Sequence, residues 1–100
     1  MIEFYDSPIF GLEWKGRYVR IGVGTTSRKD NAGRVILLPK GAIGYVASAT
    51  AGSILVVFGA DLSVPPPPTD HIYTVSHGRY KFACTFGPDD WYRLNIWLSK

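Results

Sequence analysis

The sequence has little of what covalent staples and metal sites require. Its 100 residues include one cysteine, Cys84, and two histidines, His71 and His77. A single cysteine cannot close a disulfide within the chain, which fits a reducing compartment. Because no Cys-x-x-Cys or His-x-x-x-His spacing occurs, we predict no metal site and no cofactor. We therefore expect a cytoplasmic protein whose fold depends on packing alone.

Long apolar stretches are also missing. A membrane-spanning helix needs roughly 18 consecutive apolar residues, and the longest apolar run here is the five-residue stretch Ile54 to Phe58. The first residues, Met1 to Asp6, are acidic and lack the continuous apolar core of a secretory signal. We expect a soluble protein with no membrane partner.

Helical periodicity is nearly absent, and alternation with period two takes its place. Eleven glycines and seven prolines interrupt most windows that could otherwise hold three helical turns. One hundred residues correspond to a single ordinary domain. The sequence therefore predicts one all-β domain over residues 1–100. It would be either a small SH3-like barrel or a twisted antiparallel sheet of about six or seven short strands.

Seven segments have the composition or alternation of strands. Glycine, proline and polar residues separate them, and a polar loop with Arg28 and Lys29 at its tip is predicted over residues 24–32. For the last segment, a short helix beginning at Pro88 is the alternative, because Asp89 and Asp90 suit a helix start. The predicted strands cover residues 17–23, 33–38, 42–49, 53–58, 71–76, 79–86 and 91–98.

Four consecutive prolines, Pro65 to Pro68, must adopt the extended polyproline II conformation. Such a run can bind an aromatic-lined groove, or it can keep the flanking segments apart as a rigid connector. The sequence favours the connector, because no longer proline-rich tail surrounds the run.

The stretch from Arg34 to Phe58 resembles SH3-like small barrels. In those barrels a Gly-x-Val step on one strand precedes a tight turn and a Val-x-Phe strand. Gly44 and Val46 would supply the first element, and Val56 and Phe58 the second. The resemblance implies a strongly bent sheet, and it covers about a quarter of the chain. SH3-like barrels serve as interaction modules, as small subunits of larger complexes and as nucleic-acid-binding domains, so the resemblance alone implies no single function.

Catalytic constellations are weakly represented. Asp70-His71 and the pair Asp89-Asp90 supply fragments of acid–base or nucleophilic sites, but no nucleophile elbow accompanies them. Asp89-Asp90 follows Gly-Pro, which is ordinary turn chemistry. The sequence therefore favours a non-catalytic protein over an enzyme, and we predict no catalytic residues.

Positive charge is concentrated between residues 15 and 40, which hold seven bases and the single acid Asp30, although the whole chain carries only +3. Such a segment can meet an acidic protein surface or a phosphate backbone, or it can simply be solvated. Two tryptophans on the last predicted strand would share one face and could anchor an interface. We expect partner contacts from Arg17, Arg20, Arg28, Lys29, Arg34, Arg79, Lys81, Trp91 and Trp97.

Two functions follow from these features. The first is a non-catalytic interaction protein, an accessory subunit or an inhibitor, that docks on a larger protein through its basic face and terminal aromatics. The alternative is a nucleic-acid-binding domain that uses residues 15–40, with Trp14 or Tyr18 stacking on bases. The sequence does not indicate an oligomeric state.

Overall fold

The computed structural model describes residues 3–5, 14–23, 26–69 and 80–99. Within these ranges the chain forms eight β-strands and one short α-helix. In chain order they are β1 (Phe4–Tyr5), β2 (Tyr18–Ile21), β3 (Thr26–Lys29), β4 (Val35–Leu38), β5 (Ile43–Ala49), β6 (Ile54–Phe58), β7 (Phe82–Phe86), α1 (Pro88–Leu94) and β8 (Ile96–Ser99).

Six strands form one antiparallel sheet in the order β1-β8-β2-β5-β6-β7, and β3 pairs with β4 as a separate hairpin. The first and last strands of the larger sheet do not pair with each other within the described residues, so this sheet is open. The prediction of a small all-β fold is confirmed. Of its two forms, the open antiparallel sheet is correct and the closed barrel is not.

Alternation sorts the side chains of the sheet onto two faces. Val19 and Ile21 of β2, Val56 of β6 and Leu98 of β8 point into the main hydrophobic core and are fully buried. The opposite face, which we call the outer face, carries a smaller cluster of Ala47, Val57, Tyr80 and Ala83. Both faces of β6 are therefore covered, as its continuous Ile-Leu-Val-Val-Phe sequence predicts.

Gly44 allows β5 and β6 to pack closely inside this core. A Cβ added to Gly44 would overlap the side chain of Val56 and would lie 2.9 Å from Cε1 of Phe58. The glycine is buried, and no side chain larger than hydrogen fits there without displacing its neighbours. The Gly-x-Val step thus makes room for the large residues of the adjacent strand.

The prediction of a single strand over residues 91–98 is wrong for the first half of this segment. Residues 88–94 form helix α1, the alternative that Asp89 and Asp90 suggested. The backbone N–H of Gly87 donates to Asp90 Oδ2 at 3.0 Å, which satisfies a donor that the helix start leaves unpaired. Asn95, with a φ of 48°, then ends the helix before β8 begins.

Helix α1 also separates the two tryptophans that the sequence placed in one row. Trp91 belongs to the helix and its side chain lies outside the described part of the structure, whereas Trp97 lies on β8. A single strand would have kept both side chains on one face. The two tryptophans therefore do not lie on one strand as predicted, because a helical turn interrupts the two-residue repeat.

The polar loop predicted over residues 24–32 is also wrong in part. Thr26 to Lys29 form β3, which pairs with β4 from Thr26 opposite Leu38 to Lys29 opposite Val35. The tip of this hairpin is the turn at residues 30–34, not the pair Arg28-Lys29. The strand lacks an apolar repeat of its own, so only the pairing with β4 makes it extended.

The predicted arm 79–86 is confirmed from Phe82 onward, while the other arm, 71–76, and its turn at His77-Gly78 lie outside the described residues. Tyr80 does not share a face with Phe82, Cys84 and Phe86 as predicted. It packs with Ala83 on the outer face, because the chain bends at residues 80 and 81. Within the described ranges, no helix has both the length and the apolar character that crossing a membrane requires.

Candidate docking surface

The structure divides the predicted partner residues into separate groups. Arg20 and Trp97 lie on neighbouring strands β2 and β8, whereas Arg28, Lys29, Arg34 and Lys81 lie at or beside the β3–β4 hairpin and β7. In the sheet order, β5 and β6 stand between β2 and β7. Neighbouring strands are about 4.8 Å apart, so the described basic residues fall into two groups that are separated by the width of β5 and β6.

Arg20 lies between two aromatic rings on the outer face. Its guanidinium carbon is 5.1 Å from the ring centroid of Phe4 and 5.3 Å from that of Trp97. The pairing register explains this arrangement. Arg20 is directly opposite Trp97, and Phe4 is opposite Ser99, which lies two residues after Trp97 on the same face of β8. Cation–π attraction therefore stabilises the guanidinium beside both rings, and all three residues are half-buried.

An open cleft of about 430 Å³ lies beside this arginine, lined by Arg20, Ile21, Gly22, Lys40, Gly41, Asn95 and Trp97. The polar side chains of this lining offer hydrogen-bond donors from a guanidinium, an ammonium, an amide and an indole, and none is a carboxylate. A cleft with this donor set favours an anionic group. We call Phe4, Arg20, Lys40, Asn95 and Trp97 together the aromatic–basic surface.

Gly22 allows the cleft to have this shape. A Cβ added there would overlap the backbone oxygen of Asn95 and would lie 3.1 Å from Nε1 of Trp97. The backbone N–H of Gly22 donates to the carbonyls of Leu94 and Asn95, both at 3.0 Å, which ties the end of β2 to the end of α1. The amide and indole donors are thus held side by side because the residue between them lacks a side chain.

The tetraproline covers the other end of the outer face. The hydroxyl of Tyr18 donates to the backbone oxygen of Pro66 at 2.7 Å, and the hydroxyl of Tyr80 donates to that of Pro67. Pro66 is buried. The proline run is therefore bound by tyrosines of its own chain, so it contacts aromatic residues and also connects the flanking segments. It does not cover the Arg20 end of the outer face.

Packing among these tyrosines has an electrostatic effect. Tyr18 lies edge-to-face with Tyr45, with ring centroids 5.2 Å apart. Burial first, and then the neighbouring Tyr45 and Tyr80, raise the pKa of the Tyr18 hydroxyl above its ordinary value. The hydroxyl therefore remains a hydrogen-bond donor to Pro66 throughout the neutral pH range.

Arg28 has a structural role in the hairpin. Its guanidinium donates to Asp90 Oδ1 at 3.1 Å and to the backbone oxygen of Thr85 at 3.1 Å, and its guanidinium carbon is 4.6 Å from the ring centroid of Phe86. The side chain is only 22% exposed. These contacts attach β3 to β7 and to the start of α1.

Arg34 and Asp30 close the hairpin turn. Nε of Arg34 donates to Asp30 Oδ2 at 3.0 Å, and the backbone N–H groups of Ala32 and Arg34 donate to Asp30 Oδ1. Burial of the Asp30 carboxyl would raise its pKa, but hydrogen bonds and the positive charge of Arg34 outweigh burial and hold that pKa below its ordinary value. The carboxylate is therefore charged at neutral pH and organises the turn.

The remaining predicted contacts vary in their setting. Nη1 of Arg17 donates to the hydroxyl of Tyr5 at 3.3 Å. Lys29 and Lys81 are exposed, and the backbone oxygen of Lys81 accepts a hydrogen bond from Nη2 of Arg34 at 3.1 Å. Arg79 and the side chain of Trp91 lie outside the described residues, so the structure says nothing about their contacts.

Two residues considered for chemistry are buried. Burial raises the pKa of the Cys84 thiol to about 11, so this thiol stays protonated and acts as an apolar side chain. Trp14 is 2% exposed within the main core, so it cannot stack on a nucleic-acid base as the alternative function required. Across the described ranges, no group of three or more metal-binding side chains comes together.

Sequence reasoning missed three members of the aromatic–basic surface. Lys40 was counted in the basic segment but not selected, and Phe4 and Asn95 had no distinguishing pattern. Phe4 lies on a strand of two residues, which is too short to show alternation. Asn95 is recognisable only once the left-handed turn between α1 and β8 is known.

A comparison with known protein families, curated proteins and solved structures finds no match to this chain.

Proposed function

We propose that this protein is a non-catalytic docking protein, an accessory subunit or an inhibitor, that binds an acidic segment of a larger protein through its aromatic–basic surface. One observation carries the proposal. The Arg20 guanidinium lies between the rings of Phe4 and Trp97, beside a cleft lined by donors. Arginine and tryptophan dominate the binding energy of protein interfaces.

The charge of the surface defines the partner. Arg20 and Lys40 both line the cleft, and neither forms an ion pair with another described residue. A carboxylate entering the cleft could accept charge-assisted hydrogen bonds from these cations while an apolar neighbour packs on Trp97. We therefore propose an aspartate- or glutamate-rich contact segment, on a partner in the cytoplasm, the compartment predicted from the sequence.

A protein partner suits the surface better than a nucleic acid does. Nonspecific nucleic-acid binding depends on many phosphate contacts, and two arginines of the basic segment, Arg28 and Arg34, already pair with Asp90 and Asp30. The guanidinium of Arg20 also covers ring faces on which bases would otherwise stack. The nucleic-acid alternative is an outcome of the experiment below.

Two probes separate the two partner classes. A peptide of about ten glutamates represents the acidic segment, and a single-stranded oligothymidylate of about ten nucleotides represents nucleic acid. Fluorescence anisotropy gives the affinity of the wild-type chain for each probe at several salt concentrations. We expect Arg20→Gln to lower the affinity for the glutamate peptide about tenfold. Arg93→Gln is the matched control, because Arg93 is an exposed cation of α1 that does not line the cleft.

The outcomes are distinct. Arg20-dependent binding of the glutamate peptide supports the proposal. Binding of the oligothymidylate that is tighter, steeply salt-dependent and lost in Arg20→Gln would replace it with the nucleic-acid function. If neither probe depends on Arg20, the surface is not a docking site. Where the glutamate peptide does show Arg20-dependent binding, a protein captured from a lysate and purified should also bind Arg20→Gln more weakly than Arg93→Gln.

Kinship with SH3-like barrels is a second, structural proposal. The residues of the resemblance lie on paired strands, with Val46 opposite Val56 and Gly44 packed against Phe58. An experimental structure of the chain tests it. Strands of residues 34–58 that superpose on the corresponding strands of SH3-like barrels would support the kinship, and a different strand order over those residues would remove it.

A further inference from the structure

Strand β4 presents apolar side chains to solvent. Val35 is 68% exposed and Leu37 is 60% exposed, and they are the two most exposed large apolar residues of the described chain. Both side chains point away from the core, on the same face of the hairpin as Ser27 and Lys29. The alternate residues Ile36 and Leu38 point inward, and Leu38 is fully buried.

The backbone of β4 is also available along one edge. The N–H of Asp30 donates to the carbonyl of Arg34 at 2.8 Å, and the Asp30 carbonyl accepts from the N–H of Gly33 at 3.0 Å, so residues 30 and 34 face each other at a hydrogen-bonded position with a glycine bulge. In an antiparallel hairpin such pairs alternate with pairs that are not hydrogen-bonded. The N–H and C=O groups of Val35 and Leu37 therefore point away from β3. Within the described residues, no strand other than β3 pairs with β4.

This edge is held in a fixed position. The turn attaches to β7, where the backbone N–H of Asn31 donates to the carbonyl of Ala83 at 2.8 Å and its side-chain amide donates to Thr85 Oγ1 at 3.1 Å. The ion pair of Arg28 with Asp90 secures the middle of the hairpin. A strand that adds to β4 would thus meet a preformed template and would lose less entropy on binding.

We propose that β4 is a second docking site, at which an extended, acidic segment of another protein adds as a third strand to the hairpin. The main-chain groups of Val35 and Leu37 would supply the hydrogen bonds, and their side chains would pack on alternate apolar residues of the ligand. This site does not rest on the proposed function: it shares Lys40 with the aromatic–basic surface, but Val35 and Leu37 do not line that cleft.

Charge selects the ligand. Lys29 lies opposite Val35 at one end of β4, and Lys40 follows the other end; both are exposed, and neither forms an ion pair with a described residue, whereas Arg34 is paired with Asp30. A ligand strand with a carboxylate at each end would therefore be attracted. A second copy of this chain, pairing antiparallel through β4, would bring the Lys40 end of each copy towards the Lys29 end of the other, and like charges close together across strands are unfavourable.

Hydrogen exchange followed by nuclear magnetic resonance tests the proposal on the intact chain. The probe is the peptide acetyl-Asp-Thr-Val-Thr-Val-Asp-amide, and the control peptide has lysine in place of both aspartates. In the unbound protein the Val35 and Leu37 amides should exchange rapidly. At saturating probe their exchange should slow about tenfold or more, and the lysine peptide should have no such effect.

Two substitutions locate the site. Leu37→Asp should abolish the protection, because it removes an apolar contact and repels the acidic probe. Val64→Asp, at another exposed apolar residue outside the hairpin, should leave it intact. The amides of Val56 and Cys84 in the sheet report whether each variant is folded. Arg20→Gln should not change the result, so this test and that of the proposed function can fail separately.

Several results would overturn the inference. Protection of Val35 and Leu37 without any peptide would mean that the edge is already covered. Dimerisation that Leu37→Asp disrupts would identify a second copy as the occupant instead of an acidic partner. Absence of protection at millimolar probe, or equal protection by the lysine peptide, would show that β4 does not select an acidic strand.

Discussion

The six-stranded sheet and the β3–β4 hairpin are held by different forces. The sheet buries Val, Ile, Leu and Phe side chains on its inner face, and Phe58 stacks on Phe82 with ring centroids 5.0 Å apart. The hairpin contributes Leu38 and part of Ile36 to this core. Its attachment to β7 depends instead on three polar side chains. Arg28 and Asn31 donate to oxygens of Thr85, and Arg34 donates to the backbone oxygen of Lys81, just before β7.

This difference explains how the edge of the sheet is protected. Strand β7 ends the sheet within the described residues, and an unpaired edge invites association with other chains. The hairpin turn covers β7 through contacts to Lys81, Ala83 and Thr85. The hairpin thus covers the edge of β7, and its own strand β4, with the exposed Val35 and Leu37, has an edge that no described strand pairs with. On the β7 side of the fold, the unpaired strand edge among the described residues therefore belongs to the hairpin and not to the sheet.

The largest expected effect comes from the sheet. Phe58→Ala removes a fully buried ring that contacts Phe82 and Phe86, and we expect it to lower the free energy of unfolding by about 3–5 kcal/mol. Urea denaturation followed by tryptophan fluorescence measures this change, and Val64→Ala at an exposed site is the control. A loss as small as that of the control would mean that the sheet core is not where stability resides.

An intermediate effect is expected in the hairpin. Asp30→Ala removes the acceptor of three hydrogen bonds and leaves the turn N–H groups of Ala32 and Arg34 without it. We expect local destabilisation of about 1–3 kcal/mol, seen as faster exchange of the β3 and β4 amides while β6 amides change little.

Asp61→Ala is the matched control for that variant. Asp61 accepts similar turn hydrogen bonds from the backbone and hydroxyl of Ser63, but it is exposed. It should leave hairpin exchange unchanged. If Asp30→Ala instead accelerates exchange equally in β6 and β4, the hairpin and the sheet unfold together and the proposed division between them is wrong.

The smallest effect concerns acid. Because the pKa of Asp30 is below its ordinary value of 3.8 in the folded protein, its charged form stabilises the fold above that value. The contribution is lost as the pH falls from 3.8 through the lower pKa of the folded state. The difference in unfolding free energy between wild type and Asp30→Ala should therefore shrink as the pH is lowered in this window. A constant difference would exclude the Asp30 carboxylate as the group responsible.

Prediction from the sequence succeeded where burial and strand propensity agree. Strand β6 was predicted because Val and Ile residues continue across both faces, and β2 because Val19 and Ile21 alternate with polar neighbours. Strand β3, with the sequence Thr-Ser-Arg-Lys, has no apolar repeat. It is extended because β4 pairs with it across the turn at residues 30–34. Its Arg28 side chain also binds Asp90 and Thr85, which are distant in the chain.

The candidate site was predictable only in part for the same reason. Arg20 and Trp97 were selected by residue type, but their juxtaposition depends on the pairing of β2 with β8, which are separated by most of the chain. Arg28 and Arg34 were selected by charge, yet their roles depend on carboxylates that the fold brings to them. Residue type thus indicated interaction chemistry without distinguishing surface cations from structural ones.

The two-residue repeats and the glycine and proline breaks were enough to specify an all-β fold, because these preferences act over a few neighbouring residues. Which strands became neighbours, that the sheet stayed open, and that the basic segment divided between an aromatic surface and a docked hairpin depended on contacts between residues distant in the chain. Pairing energies and burial decide such contacts together, and no single segment encodes them.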